Sequence, residues 1–68
     1  MDVQTILEKA KRLAQESGLT YQEIGVRMGY PPKSARQAVW NFLNGKNPSV
    51  AKLTRFCEAM GVEPGELL

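Results

Sequence analysis

Histidine is absent from this 68-residue chain, and cysteine occurs once. The first absence removes the commonest general base and the commonest metal ligand. The second leaves no internal disulfide and no cysteine-rich zinc site. Cys57 sits within an apolar helical pattern, so it reads as a small buried hydrophobe and not as a reactive thiol. A single unpaired thiol fits a reducing cytoplasm. No apolar run approaches the roughly 18 residues that span a bilayer, and the N-terminus lacks the apolar core of a signal peptide. No nucleophile–base pair or metal cluster can be assembled, so neither enzymatic chemistry nor a cofactor is expected. A chain this short makes one domain at most, with a modest core and little room for a deep pocket.

Acidic residues are missing from one half of the chain. Between Glu23 and Glu58 there is none, while Arg27, Lys33, Arg36, Lys46, Lys52 and Arg55 are basic. That stretch carries +6 and the remainder −4, although the net charge is only +2. Solvated faces usually mix signs. A one-signed half in so short a chain favours a polyanionic partner.

What remains is written in helix periods and caps, with no strand pattern, repeat or linker. Val3, Ile6, Leu7, Ala10, Leu13 and Ala14 recur at three- and four-residue steps, predicting a helix from about Asp2 to Ser17 that Gly18 stops. Lys9, Lys11, Arg12 and Gln15 occupy its other face. Thr20 with Glu23 three positions on is a capping box. It opens a second helix that turns Ile24 and Met28 to the core and ends at Gly29. Gly25 within that helix costs roughly 1 kcal/mol against alanine, which a close approach by another helix would explain.

Tyr30-Pro31-Pro32 cannot be helical throughout, since each proline drives its predecessor to extended geometry. A third helix follows and ends at Asn44, with Gly45 as its stop. Its start reads two ways. Pro32 is suited to be the first helical residue; alternatively, and preferred here, Ser34 is the cap and Gln37 completes a second capping box. A fourth helix starts from Ser49, with a buried stripe of Val50, Leu53, Phe56, Cys57 and Met60, and Gly61 closes it. A short fifth helix is expected from Pro64, with Leu67 turned inward. The fold class is a compact all-α bundle.

The third helix has two unlike faces. Ala35, Ala38, Val39, Phe42 and Leu43 gather on one side. The other collects Lys33, Arg36, Gln37, Trp40, Asn41 and Asn44. Arginine can contact guanine bidentately, and glutamine or asparagine can do the same to adenine. An ordinary surface helix would carry glutamate and lysine instead. Trp40 in this polar setting has three readings. It packs on thymine methyls or sugars in a groove, it anchors a protein partner, or it folds back over a neighbouring helix.

From Leu19 to Leu67 the chain resembles the lambda-repressor and Cro-like helix-turn-helix family, also called the XRE family. LTYQEIGVRMG resembles the second-helix signature of that family. VWNFLNGKNPSVAKLTRFCEAMGVEPGEL resembles the end of its recognition helix, its asparagine-glycine turn, the proline-serine start of its fourth helix and its GV-x-x-x-EL close. The resemblance implies a five-helix domain whose second and third helices form the helix-turn-helix. The third helix lies in the major groove of a double-stranded operator, commonly (pseudo)palindromic and bound by a homodimer. Arg36 and Gln37 then fall at the first base-contacting positions, with Trp40 and Asn41 on the next exposed turn. Asn44 and Lys46 match positions that hold phosphate, the amides at the Ser49 helix start suit one too, and Tyr21, Gln22, Lys33 and Ser34 are the further phosphate-contacting candidates. Two departures stand out. Tyr21 replaces the glutamine that many members carry, and Tyr30-Pro31-Pro32-Lys33 implies a connection some three or four residues longer than the usual tight turn, an insertion that either extends the recognition helix or forms a rigid corner beside the groove.

The expected function is sequence-specific DNA binding by a transcriptional regulator, most simply a repressor. The alternative from a different class is a protein-interaction module, or an antitoxin-type regulator, that uses Trp40 and the C-terminal end. Residues Val62 through Leu68 are the candidate dimer surface.

Overall fold

The computed structural model describes residues 3–67. They form α1 (Val3–Ser17), α2 (Tyr21–Arg27), α3 (Pro32–Asn44) and α4 (Val50–Met60), followed by a single 3-10 turn at Pro64–Glu66. There is no strand among the described residues, and the chain is all-helical. The expected fifth helix is therefore one turn of 3-10 geometry. It still does what the pattern required, because it delivers Leu67 into the core. Asp2 and Leu68 lie outside the described residues.

The predicted apolar stripes meet. Ile6, Ala10 and Ala14 of α1 pack with Ile24 and Met28 around α2, Val39, Phe42 and Leu43 of α3, and Phe56 and Cys57 of α4. Phe42 and Phe56 join α3 to α4 with ring centroids 5.3 Å apart and planes tilted by 38°. Offset aromatic pairs favour such geometry. Removing a buried phenylalanine side chain costs about 3–5 kcal/mol, close to the whole stability of a small domain. α4 departs from its expected stripe at one end. Val50 is 78% exposed, because as the first helical residue it precedes the turn that meets the core. Ala59, absent from the expected stripe, is buried instead.

Gly25 sets the distance between α2 and α3. A Cβ on it would lie 2.5 Å from the Ala35 carbonyl oxygen and 2.6 Å from the Ala35 Cβ. The expected close approach is thus made by α3, and both residues at the crossing are buried. Immediately after it, α2 ends in a Schellman motif. The Tyr30 N–H donates to the Gly25 carbonyl at 3.0 Å and the Gly29 N–H to that of Val26 at 3.0 Å, with Gly29 at φ +101°.

α3 starts earlier than the preferred capping-box reading placed it. Pro31 is extended at φ −61°, ψ 146° and caps the helix without a side-chain bond, and Pro32 is the first helical residue. Proline suits that position because its φ is already helical and its missing N–H would have had no partner. Ser34 accordingly sits inside the first turn, where its hydroxyl and its N–H both donate to the Pro31 carbonyl, at 3.4 and 3.0 Å. The connection between α2 and α3 is consequently only residues 28–31. Of the two readings of the Tyr30–Lys33 insertion, the longer recognition helix is the one observed: the 13-residue α3 absorbs the extra residues in its first turn.

Three outcomes follow for stability. Gly25→Ala gains about 1 kcal/mol of helix propensity but overpacks the crossing by about 1–3 kcal/mol, so thermal unfolding is expected at a lower temperature, and lower still for Gly25→Val. Val50→Lys, by contrast, is expected to leave the melting curve within about 0.5 kcal/mol of wild type. Burial, with the Glu66 carboxylate adding to it, pushes the Cys57 thiol above its ordinary pKa. Alkylation of Cys57 at neutral pH should run on the order of 100-fold slower than in the denatured chain, since a fully buried thiol reacts only through opening of the core.

Candidate nucleic-acid interface

α3 presents its two faces as the periodicity requires. Ala35, Val39, Phe42 and Leu43 are buried and Ala38 is half-buried, while Lys33, Arg36, Gln37, Trp40, Asn41 and Asn44 are all exposed. The first turn contains no carboxylate. Lys33 therefore adds positive charge at the positive end of the helix dipole, an arrangement that an anion nearby would relieve. Trp40 is 52% exposed. About half of its surface is therefore open to solvent, while Val39 and Leu43 take the inward positions of the helix.

Hydrogen bonds made by the outward side chains run along α3 itself. The Gln37 Nε2 donates to the Asn41 Oδ1 at 3.0 Å. Gln37 is thus not a capping residue, and its amide is held by its neighbour one turn on. The Asn44 Nδ2 donates to the Trp40 carbonyl at 2.9 Å. Asn44 closes the last turn of its own helix, and its amide reaches other groups only through what that bond leaves open. Arg36, Lys33 and Trp40 have no such tie within the helix.

The expected phosphate-facing residues divide by how they are held. Ser49 is the N-cap of α4, its hydroxyl accepting from the Lys52 N–H at 3.1 Å. Lys46 is exposed in the segment between α3 and α4. Gly45 makes the exit from α3 possible, since a Cβ there would meet the Asn41 carbonyl oxygen at 2.9 Å. Tyr21, the first residue of α2, is half-buried against the core. Its ring anchors the helix start, which a glutamine in its place could not do equally well. Gln22 is exposed and borders a shallow groove with Glu23, Val26, Arg27 and Pro32. The capping box at the head of α2 is complete, with the Glu23 N–H donating to the Thr20 Oγ1 at 3.1 Å and the Glu23 carboxylate accepting from the Thr20 N–H at 3.5 Å.

One basic residue has a structural partner that its sequence context did not disclose. The Arg27 Nη1 donates to the Ala59 carbonyl at 3.5 Å, tying the end of α2 to the last turn of α4. A cation suits a helix C-terminus, whose last carbonyls lack intrahelical partners. Only the contact between elements 32 residues apart reveals it.

Among the described residues, no helix is long and apolar enough to cross a membrane. Set against known proteins, the chain matches no protein-family model, no curated protein and no solved structure.

Proposed function

We propose that this chain binds double-stranded DNA sequence-specifically, with α3 in the major groove, and acts as a transcriptional regulator, most simply a repressor in the cytoplasm. The observation that carries this reading is the outward face of α3. Its six side chains are all exposed, none is acidic, and they combine a guanidinium, two reading amides and a half-exposed indole. At 1.5 Å per residue a 13-residue helix is about 20 Å long, enough to lie along a major groove about 12 Å wide. The acid-free stretch from Glu23 to Glu58 supplies the charge that draws a phosphate backbone.

In this reading α2 and α3 form the helix-turn-helix of a five-helix, lambda-repressor-like domain, with the 3-10 turn as its fifth element. Arg36, Gln37, Trp40 and Asn41 face base edges. Tyr21, Gln22, Lys33, Ser34, Asn44, Lys46 and Ser49 flank the backbone, Ser49 and Asn44 through the helix ends they organise. A lone domain makes few contacts, so two copies on a (pseudo)palindromic operator are expected. The proposed dimer contact is the C-terminal end, residues 62–68, of which Leu67 is turned into the core and Leu68 lies outside the described residues.

A second reading rests on the exposure of Trp40 and Val50, 52% and 78%. Exposed tryptophan is a common anchor for a protein partner. In this version the helical module binds a protein, as an antitoxin does.

Selection from a random duplex pool at about 0.15 M salt separates the two. An enriched inverted repeat is expected, with Arg36→Ala relaxing the preference at one base pair by about 1–3 kcal/mol. Trp40→Ala should weaken binding to the same site. Binding that enriches no sequence and only falls with salt would reduce the basic face to a general polyanion surface and leave the protein-partner reading standing.

A further inference from the structure

The bond between Gln37 and Asn41 bears on which base α3 reads, an inference that rests on the DNA-binding reading above. A free glutamine amide is ambiguous towards purines. With its oxygen and one amino hydrogen it matches adenine, which offers the N6–H donor beside the N7 acceptor. Turned over, the same amide can offer its amino group to guanine, whose O6 and N7 are both acceptors. Selectivity between the two requires that the amide be kept from turning.

The structure supplies such a restraint. The Gln37 Nε2 donates one hydrogen to the Asn41 Oδ1 at 3.0 Å, and both residues are exposed on the outward face of α3. Residues four apart on a helix lie side by side, so the bond forms without distorting the backbone. It uses one of the two amino hydrogens of Gln37. What remains outward is the Oε1 acceptor and a single N–H, the complement of the adenine edge. A guanine O6 would then face the Gln37 oxygen, two acceptors with no hydrogen between them.

We infer that Gln37 reads an adenine bidentately and that Asn41 is the positioning residue that holds the Gln37 amide in the adenine-reading orientation. Its role is thereby narrowed: Asn41 faces the groove beside Gln37 but acts through Gln37 and not on a base of its own. Gln37 is free for this role because α3 begins at Pro32 and makes no use of Gln37 in capping.

The test uses the full chain and the site enriched by the wild type. Binding to that site and to its A→G variants is compared for wild type, Gln37→Ala, Asn41→Ala and the double variant. Gln37→Ala should erase the adenine preference at one base pair, a loss on the order of 10-fold or more for a bidentate contact. Asn41→Ala should lower the adenine-over-guanine ratio at that same base pair, by roughly twofold, and leave the ratios elsewhere unchanged. In the Gln37→Ala background, Asn41→Ala should change nothing further at that position. Both substitutions are on an exposed face, and matching thermal melts establish that each variant is folded.

A purely structural role for Asn41 would lower affinity for all sites equally and leave the ratio untouched, which overturns the inference. Relaxation at a different base pair, with effects that add in the double variant, overturns it as well and makes Asn41 an independent reader. A guanine at the position read by Gln37 also overturns it while leaving the DNA-binding reading intact. Enrichment of no site by the wild type overturns both.

Discussion

The contact on which the rest depends is the crossing of α2 and α3 at Gly25 and Ala35. There the two helices approach so closely that one methyl group on Gly25 would overlap the backbone of α3. α2 has only seven helical residues. A helix that short is not stable alone and owes its order to packing. The missing side chain lets α3 settle against it, and the Schellman closure at Gly29 then turns the chain within residues 28–31. With α3 fixed at that point, the 3.6-residue repeat determines every other position along it. Val39, Phe42 and Leu43 turn inward, and the outward face is whatever is left.

Two prolines complete the definition of that face. Had the chain begun α3 at Ser34, Gln37 would have been occupied in a capping box and Lys33 would lie outside the helix. Beginning at Pro32 adds most of a turn, places Lys33 and Ser34 on helical backbone and leaves Gln37 to pair with Asn41. The extra residues therefore lengthen the rigid element instead of loosening the corner. Rigid elements hold polar groups with the precision that base discrimination requires, which loops seldom match.

Most of the fold was legible because helical cores announce themselves by period. The α1 stripe, the Thr20–Glu23 capping box, the Ser49 cap, the Gly61 closure and the inward Leu67 all depend on residues within a turn or two of one another. The departures have separate physical causes. Ser34 and Pro32 both carry a valid helix-start signature, and the fixed φ of Pro32 prevails. Val50 fits the apolar repeat of α4 but lies before the first turn that meets the core, and Ala59 fills the other end. The Arg27–Ala59 bond joins distant parts of the chain and leaves no local trace. In the candidate site, helical spacing was enough to gather Lys33, Arg36, Gln37, Trp40, Asn41 and Asn44 on one face. Which of them are tied to each other or to the backbone depends on rotamers that no spacing rule encodes.

Those ties divide the outward face by freedom of movement. Asn44 is bonded to the Trp40 carbonyl and Gln37 to Asn41, whereas Arg36 and Lys33 are long cations with no partner along the helix. Long free cations lose side-chain entropy when they bind, but they can follow a phosphate backbone of variable shape. Restrained amides lose less on binding, and they suit a mismatched edge less well because rearranging gives up the bond that holds them. A face that mixes the two can be tight through charge and selective through fixed dipoles, with each property set by different residues. If α3 binds DNA as proposed, raising salt should weaken every site together, whereas loosening an amide should alter the ranking of sites at constant salt.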